Sequence, residues 1–374
     1  MTRIKERLAE LVRIDSVSSR SNAEIIDYLE RSCAALNLIT RRYPYRDEHG
    51  TEKFNLIALT AGVPEVPVAL VGHTDTVPYD PNWSEATNLT ERDGKLYGRG
   101  SCDTKGFIAA ALTALETIKV DQPLALIFTA DEEIGLRGAK RLADEKPLRV
   151  RYSIVGEPTS LKPIRAGKGY SLAEVIVNGR EAHSAYPALG ASAVFRAARL
   201  INRLETIAEQ LKDDQHEAFD PPYTTLNVGL IHGGSAKNVL ARECRFTLEW
   251  RPIPSQSSER VLNLFTDAIE AESKTDPDLY VEIDASRQDT GFETAPDSAL
   301  IKIFEHATGI ESGTVAFGTE AAQMMKLGAE PVVIGPGDIR EAHRTGEFVP
   351  VDELERCADV LRQSVQQLLA ADIR

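Results

Sequence analysis

Several short segments of this chain carry histidine and carboxylate side chains at spacings that could do chemistry. Gly72-His73-Thr74-Asp75 follows the apolar run Val66–Val71. On an extended chain His73 and Asp75 share a face, which fits a metal ligand and the carboxylate that orients it. Gly98-Arg99-Gly100-Ser101-Cys102-Asp103-Thr104-Lys105-Gly106 opens a helix, and its glycines permit a tight turn. It lacks the Gly-Lys-Ser/Thr ending of a phosphate loop and does not fit G-x-G-x-x-G after a strand. Asp131-Glu132-Glu133 follows the apolar run Leu124–Phe128. Its consecutive carboxylates repel one another, and a cation would stabilise them. Neighbours on an extended segment point in opposite senses, so Glu132 and Glu133 need not share a role. One can hold metal while the other faces a bound water. Gly156-Glu157-Pro158-Thr159 follows another apolar run, and Ala342-His343 lies beyond Pro331–Ile334 and the turn Gly335-Pro336-Gly337.

Taken singly, these segments have structural readings. His73 could be satisfied by a backbone carbonyl, Asp103 could be a helix N-cap, and the three carboxylates could lie in an exposed loop. Taken together, His73, Asp103, Glu132, Glu133, Glu157 and His343 all fall at strand ends or a helix start, where open α/β sheets bind ligands. Nitrogen and oxygen donors without cysteine suit zinc, with cobalt or manganese as competitors. Two histidines and three carboxylates suit two ions sharing a bridging carboxylate.

The elements that would position these groups alternate. Helical spacing runs through Ile4, Leu8, Leu11 and Val12, and again through Ile25, Ile26, Leu29, Cys33 and Leu36. Strand-like runs at Leu38–Ile39, Asn55–Leu59, Val66–Val71, Leu124–Phe128 and Ser153–Val155, with a helix at Gly106–Ile118, indicate an α/β sheet. From about Lys168 the order becomes strand Ser171–Val177, helix Ala193–Leu211, strands Thr225–Ile231 and Cys244–Trp250, helix Val261–Ala271 and strand Leu279–Ile283. This is the β-α-β-β-α-β order of a ferredoxin-like domain. The α/β pattern then returns with helix Ile301–Ala307, strand Val315–Phe317, helix Ala321–Leu327, strand Pro331–Ile334 and helix Val351–Leu369. The expected fold class is therefore α/β: a discontinuous catalytic domain over 1–164 and 289–374, with a ferredoxin-like domain inserted at 165–288.

Composition narrows the function. The 374 residues include 43 Lys plus Arg and 57 Asp plus Glu, a formal charge of −14. That excess disfavours nucleic acid or an anionic membrane as partner. A chain with 42% hydrophobic and 27% charged residues is globular, and at this length two domains are expected. No apolar stretch is long enough to span a bilayer, and the charged start MTRIKERLAELVRI does not read as a signal peptide. Cys33, Cys102, Cys244 and Cys357 have no paired spacing, so free thiols in a reduced, cytoplasmic setting are expected.

The runs VGHTDTVP, LYGRGSCDTKG, DEEIG, GEPT, AHSAYP, GGSAKNVL, FGTEA and GPGDIREAH together resemble the two-metal (di-zinc) metallopeptidase family of acylases, deacylases, desuccinylases and carboxypeptidases. The resemblance covers essentially the whole chain, with its motifs in family order. It implies two divalent ions, Zn²⁺ foremost with Co²⁺ as alternative. Asp103 would bridge them, His73 and Glu157 would complete one site, and Glu133 and His343 the other. Glu132 would be the general base and acid, and Asp75 would orient His73. His183, in the inserted domain, would stabilise the oxyanion, commonly across a homodimer formed by that domain. Asn238 and Arg251 would hold a substrate carboxylate, which a guanidinium grips bidentately. The details GRGSCDTKG, EWRPIP and FGTEA are most similar to the branch that deacetylates N2-acetyl-L-ornithine in arginine biosynthesis. The expected partner is thus a small N-acyl amino acid. Thr319 and Glu320, in Phe317-Gly318-Thr319-Glu320-Ala321, are further substrate-binding candidates, Glu320 for a cationic side chain or else as a carboxylate at a helix N-terminus. Departures at Gly167-Lys168-Gly169, at Ala241 and at His183-Ser184-Ala185 leave the acyl and amino-acid specificity open. Succinyl-diaminopimelate desuccinylase, aminoacylase or dipeptidase activity is the alternative, and a silent metal-binding protein is the alternative outside enzymes.

The remaining histidines, His49, His216, His232 and His306, have no matching partners and read as surface or structural. Cys102 has no base placed for it and reads as a small buried thiol.

Overall fold

The computed structural model describes residues 2–60, 62–118 and 122–371. The chain divides into two compact units: Met1–Arg165 with Glu293–Gly313 and Thr319–Arg374, and Ala166–Phe292 with Thr314–Gly318.

The first unit is built on a mixed sheet. Six strands of this nine-stranded sheet lie side by side in the order Ile39–Arg46, Glu52–Leu59, Leu124–Thr129, Glu65–His73, Arg149–Val155 and Glu330–Val333. The first two joins are antiparallel and the last three parallel. Four parallel strands therefore point their carboxyl ends at one edge. Leu124–Thr129 is buried throughout, and Glu65–His73 is buried from Val66 onward, as strands covered on both faces should be. Helix Lys105–Leu115 is apolar almost all round and packs against helices Arg3–Arg13 and Val351–Ala371 and strand Glu65–His73, as a wholly buried helix does. Helices Arg137–Glu145 and Ala321–Lys326 pack on each other.

Two glycines just beyond strand ends permit close approach, Gly156 to Phe107 of helix Lys105–Leu115 and Gly335 to the Glu157 backbone. A Cβ on Gly156 would lie 2.2 Å from the Phe107 ring, and one on Gly335 would lie 2.5 Å from the Glu157 carbonyl oxygen. A side chain at Gly156 would press on the helix, and one at Gly335 would push its turn away from Glu157.

In the second unit the sheet order is Thr225–Gly233, Glu243–Arg251, Tyr170–Asn178, Tyr280–Asp289, every join antiparallel. Helices Ala193–Gln210 and Arg260–Ser273 pack on each other over a core that includes Val175, Leu200, Phe246, Trp250 and Phe265. Strand Tyr170–Asn178 alternates buried with half-buried or exposed residues, the period of a sheet with one face on the core. This is the ferredoxin-like arrangement that the element order implies.

Some elements differ from the sequence expectation. The run at Leu38–Ile39 is the start of a strand, Ile39–Arg46, paired with Glu52–Leu59. It is polar and holds Pro44, which an edge strand tolerates because its outer N–H groups need no ladder partner. Helix Arg137–Glu145 was not anticipated: it buries only Gly138, Ala139, Leu142 and Ala143, too faint an apolar stripe to stand out. The strand expected at Val315–Phe317 is found at Gly313–Val315, and the helix expected over Gly106–Ile118 is Lys105–Leu115.

Candidate metal centre

Each candidate ligand sits where a parallel strand ends or shortly after. His73 is the last residue of its strand, Glu132 and Glu133 follow Leu124–Thr129, Glu157 follows Arg149–Val155, and His343 lies beyond Glu330–Val333. Asp103 precedes helix Lys105–Leu115, whose N-cap is Thr104 rather than Asp103. The Asp103 carboxylate is thus not consumed as a cap.

It faces both histidines instead. His73 Nε2 lies 3.0 Å from Asp103 Oδ1, and His343 Nε2 lies 3.1 Å from Asp103 Oδ2. His343 Nε2 also lies 3.0 Å from Glu133 Oε2. Donor atoms of His73, Asp103 and Glu133 all fall within 4.8 Å of one another and could hold a metal ion. His73 and Asp103 are buried while the His343 side chain is 51% exposed, so one end of the cluster is enclosed and the other opens to solvent.

The tautomer of His73 is fixed by a backbone group. Its Nδ1 lies 3.0 Å from the carbonyl oxygen of Asp75. With Nδ1 donating there, Nε2 is left as an acceptor for a cation. The Asp75 carboxylate is 3.7 Å from Nδ1 and is engaged elsewhere: Oδ1 accepts from Glu132 N at 3.0 Å, while Oδ2 accepts from Glu133 N at 3.3 Å and from Ser18 Oγ at 2.7 Å. Asp75 therefore meets His73 through its main chain and the Glu132–Glu133 turn through its side chain.

A second buried carboxylate holds the Asp103 turn. Glu347 Oε1 accepts from the backbone N–H groups of Cys102 and Asp103 at 2.9 and 3.1 Å, and Oε2 accepts from Arg99 Nη1 at 2.6 Å.

The electrostatics of the cluster favour positive charge there. Burial and the neighbouring carboxylates, Asp103 and Glu132 among them, push Glu157 well above the usual carboxylate range. Burial also raises Glu132, opposed by His73 and reinforced by Glu133, Glu320 and Asp103. Burial disfavours a charged His73, yet the bond and charge of Asp103, with Glu132 and Asp75 behind it, outweigh this and hold the ring well above its ordinary value. Asp103 and Glu133 raise His343 to about 10. A divalent cation among these groups would relieve the repulsion between the buried carboxylates. The nitrogen and oxygen donors fit such an ion, and one carboxylate with an oxygen toward each histidine fits two.

Glu320 is buried at 1% exposure, and its Oε1 has no hydrogen-bond partner among the described residues. Burial raises its carboxyl to about 7, opposed by His73. It occupies the N-cap position of Ala321–Lys326 but makes no side-chain cap bond. Thr319 is buried, and its hydroxyl accepts from Ala321 N at 3.2 Å.

The other candidates lie in the second unit. His183 is exposed, with Nδ1 accepting from Ala185 N at 3.1 Å. Asn238 is exposed, and its carbonyl accepts from Ser184 N. Arg251 donates from Nε to Glu249 Oε1 at 2.7 Å, with its guanidinium 3.8 Å from the Tyr170 ring centroid. His49, His232 and His306 are exposed, His216 is half-buried against Phe219, and all four cysteines are buried free thiols. Ser18, Lys53 and Glu347 carry no local sequence signal, because their partners lie far along the chain.

A cluster of this make-up at the carboxyl edge of a parallel sheet, in a chain with an inserted ferredoxin-like unit, defines a metal-dependent hydrolase. The chain belongs to peptidase family M20/M25/M40, matching it over residues 69–367, and is a hydrolase acting on amide bonds. It is similar to acetylornithine deacetylase from Myxococcus xanthus, with 50% identity over 97% of this chain and 96% of that one. To acetylornithine deacetylase from Klebsiella pneumoniae it is 35% identical over 92% of this chain and 91% of that one. Its fold resembles a tripeptidase from Staphylococcus aureus, with TM-score 0.78, 23% identity and 98% of each chain covered. It also resembles a metallo-carboxypeptidase from Sulfolobus solfataricus, with TM-score 0.76, 17% identity, and 99% and 100% covered. No helix among the described residues is long and apolar enough to cross a membrane.

Proposed function

We propose that this chain hydrolyses the amide of N2-acetyl-L-ornithine to L-ornithine and acetate. Two divalent ions, zinc foremost, would be held by His73, Asp103 and Glu157 on one side and by Asp103, Glu133 and His343 on the other. The observation that carries the two-ion reading is the Asp103 carboxylate, with Oδ1 toward His73 and Oδ2 toward His343. Identity to acetylornithine deacetylases along nearly the whole chain supports the substrate.

When bound, the ions would supply positive charge that lowers the pKa of water toward roughly 7 and favours a developing oxyanion. The remaining work falls to side chains of this chain. Glu132, raised by burial, takes the proton of the attacking water and delivers it to the leaving nitrogen. Asp75 keeps Glu132 and Glu133 in register through their N–H groups. Glu320, buried with an unpartnered oxygen, receives the terminal ammonium of ornithine. Arg251 and Asn238 take the α-carboxylate, and His183 contributes to the oxyanion. Arg251 would exchange Glu249 for the substrate carboxylate as partner. The inserted domain serves as lid and dimer interface. Its edge strand Thr225–Gly233 leaves Leu230 and Ile231 exposed, an apolar edge that a second copy would cover. The setting is the cytoplasm, where the four thiols stay reduced.

The test is a substrate panel on zinc-reconstituted protein. Acetylornithine should give the highest kcat/KM against succinyl-diaminopimelate, acetylmethionine and simple dipeptides. A preference for the succinyl substrate or for dipeptides would overturn the assignment.

A further inference from the structure

Lys53 is a fully enclosed cation beside the proposed centre, and among the described residues its hydrogen bonds go to Ser18, Arg20 and Asp131 rather than to a proposed ligand. It sits in strand Glu52–Leu59 at 1% exposure. An ammonium has three donors, and all are used: Nζ donates to the carbonyl oxygens of Ser18 and Arg20 and, at 2.8 Å, to Asp131 Oδ1. Asp131 is fully buried, and its Oδ2 accepts from Tyr45 Oη at 2.8 Å. Lys53 thereby grips two segments at once. One is the Ser18 loop, whose hydroxyl donates to Asp75 Oδ2. The other is Asp131, the residue immediately before Glu132.

Both segments converge on the same turn. Asp131 sits at φ 56°, a left-handed conformation that a non-glycine residue holds only where the surroundings impose it. The Tyr45 and Lys53 bonds to its carboxylate are such surroundings. Beyond it, the Glu132 and Glu133 N–H groups are held by Asp75, whose carboxylate is held by Ser18, whose carbonyl is held by Lys53. The ring of contacts closes on itself. A buried ion pair contributes little net stability once its desolvation is counted, whereas a ring that fixes the backbone beneath Glu132 and Glu133 bears directly on the placement of both side chains.

We propose that Lys53 is a positioning residue for the Glu132–Glu133 turn, acting through Asp131 on one side and through Ser18 and Asp75 on the other. The inference rests on the roles assigned to Glu132 and Glu133 above. It predicts a catalytic defect out of proportion to any loss of stability, because displacement of a reacting group by about 1 Å costs on the order of 100-fold in rate.

Lys53→Met alone would strand the buried Asp131 charge and endanger folding. The test therefore uses Lys53→Met/Asp131→Asn, which removes both charges, and Ser18→Ala, which removes one hydroxyl. Each is compared with wild type, Ser18→Thr and Glu132→Gln, all zinc-loaded. The expected result is a fall in kcat of about 10- to 100-fold in the double variant and Ser18→Ala, with KM within about twofold. Ser18→Thr, which keeps the hydroxyl, should recover most of the loss. Amide hydrogen exchange at Glu132 and Glu133 should quicken in both defective variants. Exchange reads the turn without reference to turnover, so it judges the inference even if the hydrolytic assignment fails. An active Glu132→Gln would sink the assigned roles and leave the exchange result standing. Unchanged exchange, or unchanged kcat in folded protein whatever its thermal midpoint, would overturn the positioning role.

Discussion

Replacing Glu347 by alanine removes the acceptor of the bonds from Cys102 N, Asp103 N and Arg99 Nη1 at 2.9, 3.1 and 2.6 Å. Glu347 and Arg99 are only 1% and 5% exposed at the side chain, so water does not replace what is lost. Breaking a buried ion pair by deleting one partner costs about 3–5 kcal/mol. Leaving the two N–H groups unsatisfied would cost about 1–3 kcal/mol each. These estimates overlap, because both count the loss of one carboxylate, and about 3–5 kcal/mol is the working figure. Urea unfolding of metal-stripped protein measures it without a contribution from bound ions. The Asp103 turn should also loosen, so zinc affinity should fall in the folded variant. Glu347→Gln keeps an acceptor for the backbone N–H groups but not the charge facing Arg99, and should fall between alanine and wild type. A Glu347→Ala protein within about 1 kcal/mol of wild type, with zinc affinity unchanged, would refute the claim that this carboxylate holds the turn.

Other expectations follow from single contacts. Glu132→Gln should retain metal and lose turnover, since an amide accepts no proton from water, whereas Glu133→Gln should lose metal affinity as well; zinc content beside kcat separates the two. Glu320→Gln should lower kcat/KM for acetylornithine far more than for acetylmethionine if the buried carboxylate meets the substrate ammonium, and equal losses would remove that role. Asp276 is held below its ordinary value chiefly by hydrogen bonds from Arg196. Its contribution to stability is complete above the unfolded pKa of about 3.9 and is lost as pH falls through the lower folded value. The stability gap between wild type and Asp276→Asn should therefore narrow in acid, and a gap that stays constant with pH would contradict it.

The ligand-bearing frame could be read from the sequence because each piece announces itself locally. Val66–Val71 and Leu124–Phe128 are short apolar runs that suit a doubly covered strand, and each is followed within a few residues by His73 or Glu132–Glu133. The alternation of Ser171–Val177 and the long amphipathic helix after it gave the inserted unit in the same way. The parts that escaped are those whose meaning depends on distant partners. Lys53, Glu347 and Arg99 look like ordinary surface charges, and only the fold brings Lys53 to Asp131 and Arg99 to Glu347. The strand Ile39–Arg46 was hidden by its polar edge, and the helix Arg137–Glu145 by the small residues it buries. For Asp75 the contact was not foreseen: its main-chain carbonyl meets His73, while its side chain meets the Glu132–Glu133 turn.

The central claim, two ions sharing Asp103, is tested most directly by titrating metal-stripped protein with zinc while following acetylornithine hydrolysis and bound metal together. The account predicts negligible rate without metal, full rate at about two equivalents, and loss of the second equivalent in Asp103→Asn. Full activity with no bound metal, or a plateau at one equivalent, would contradict it.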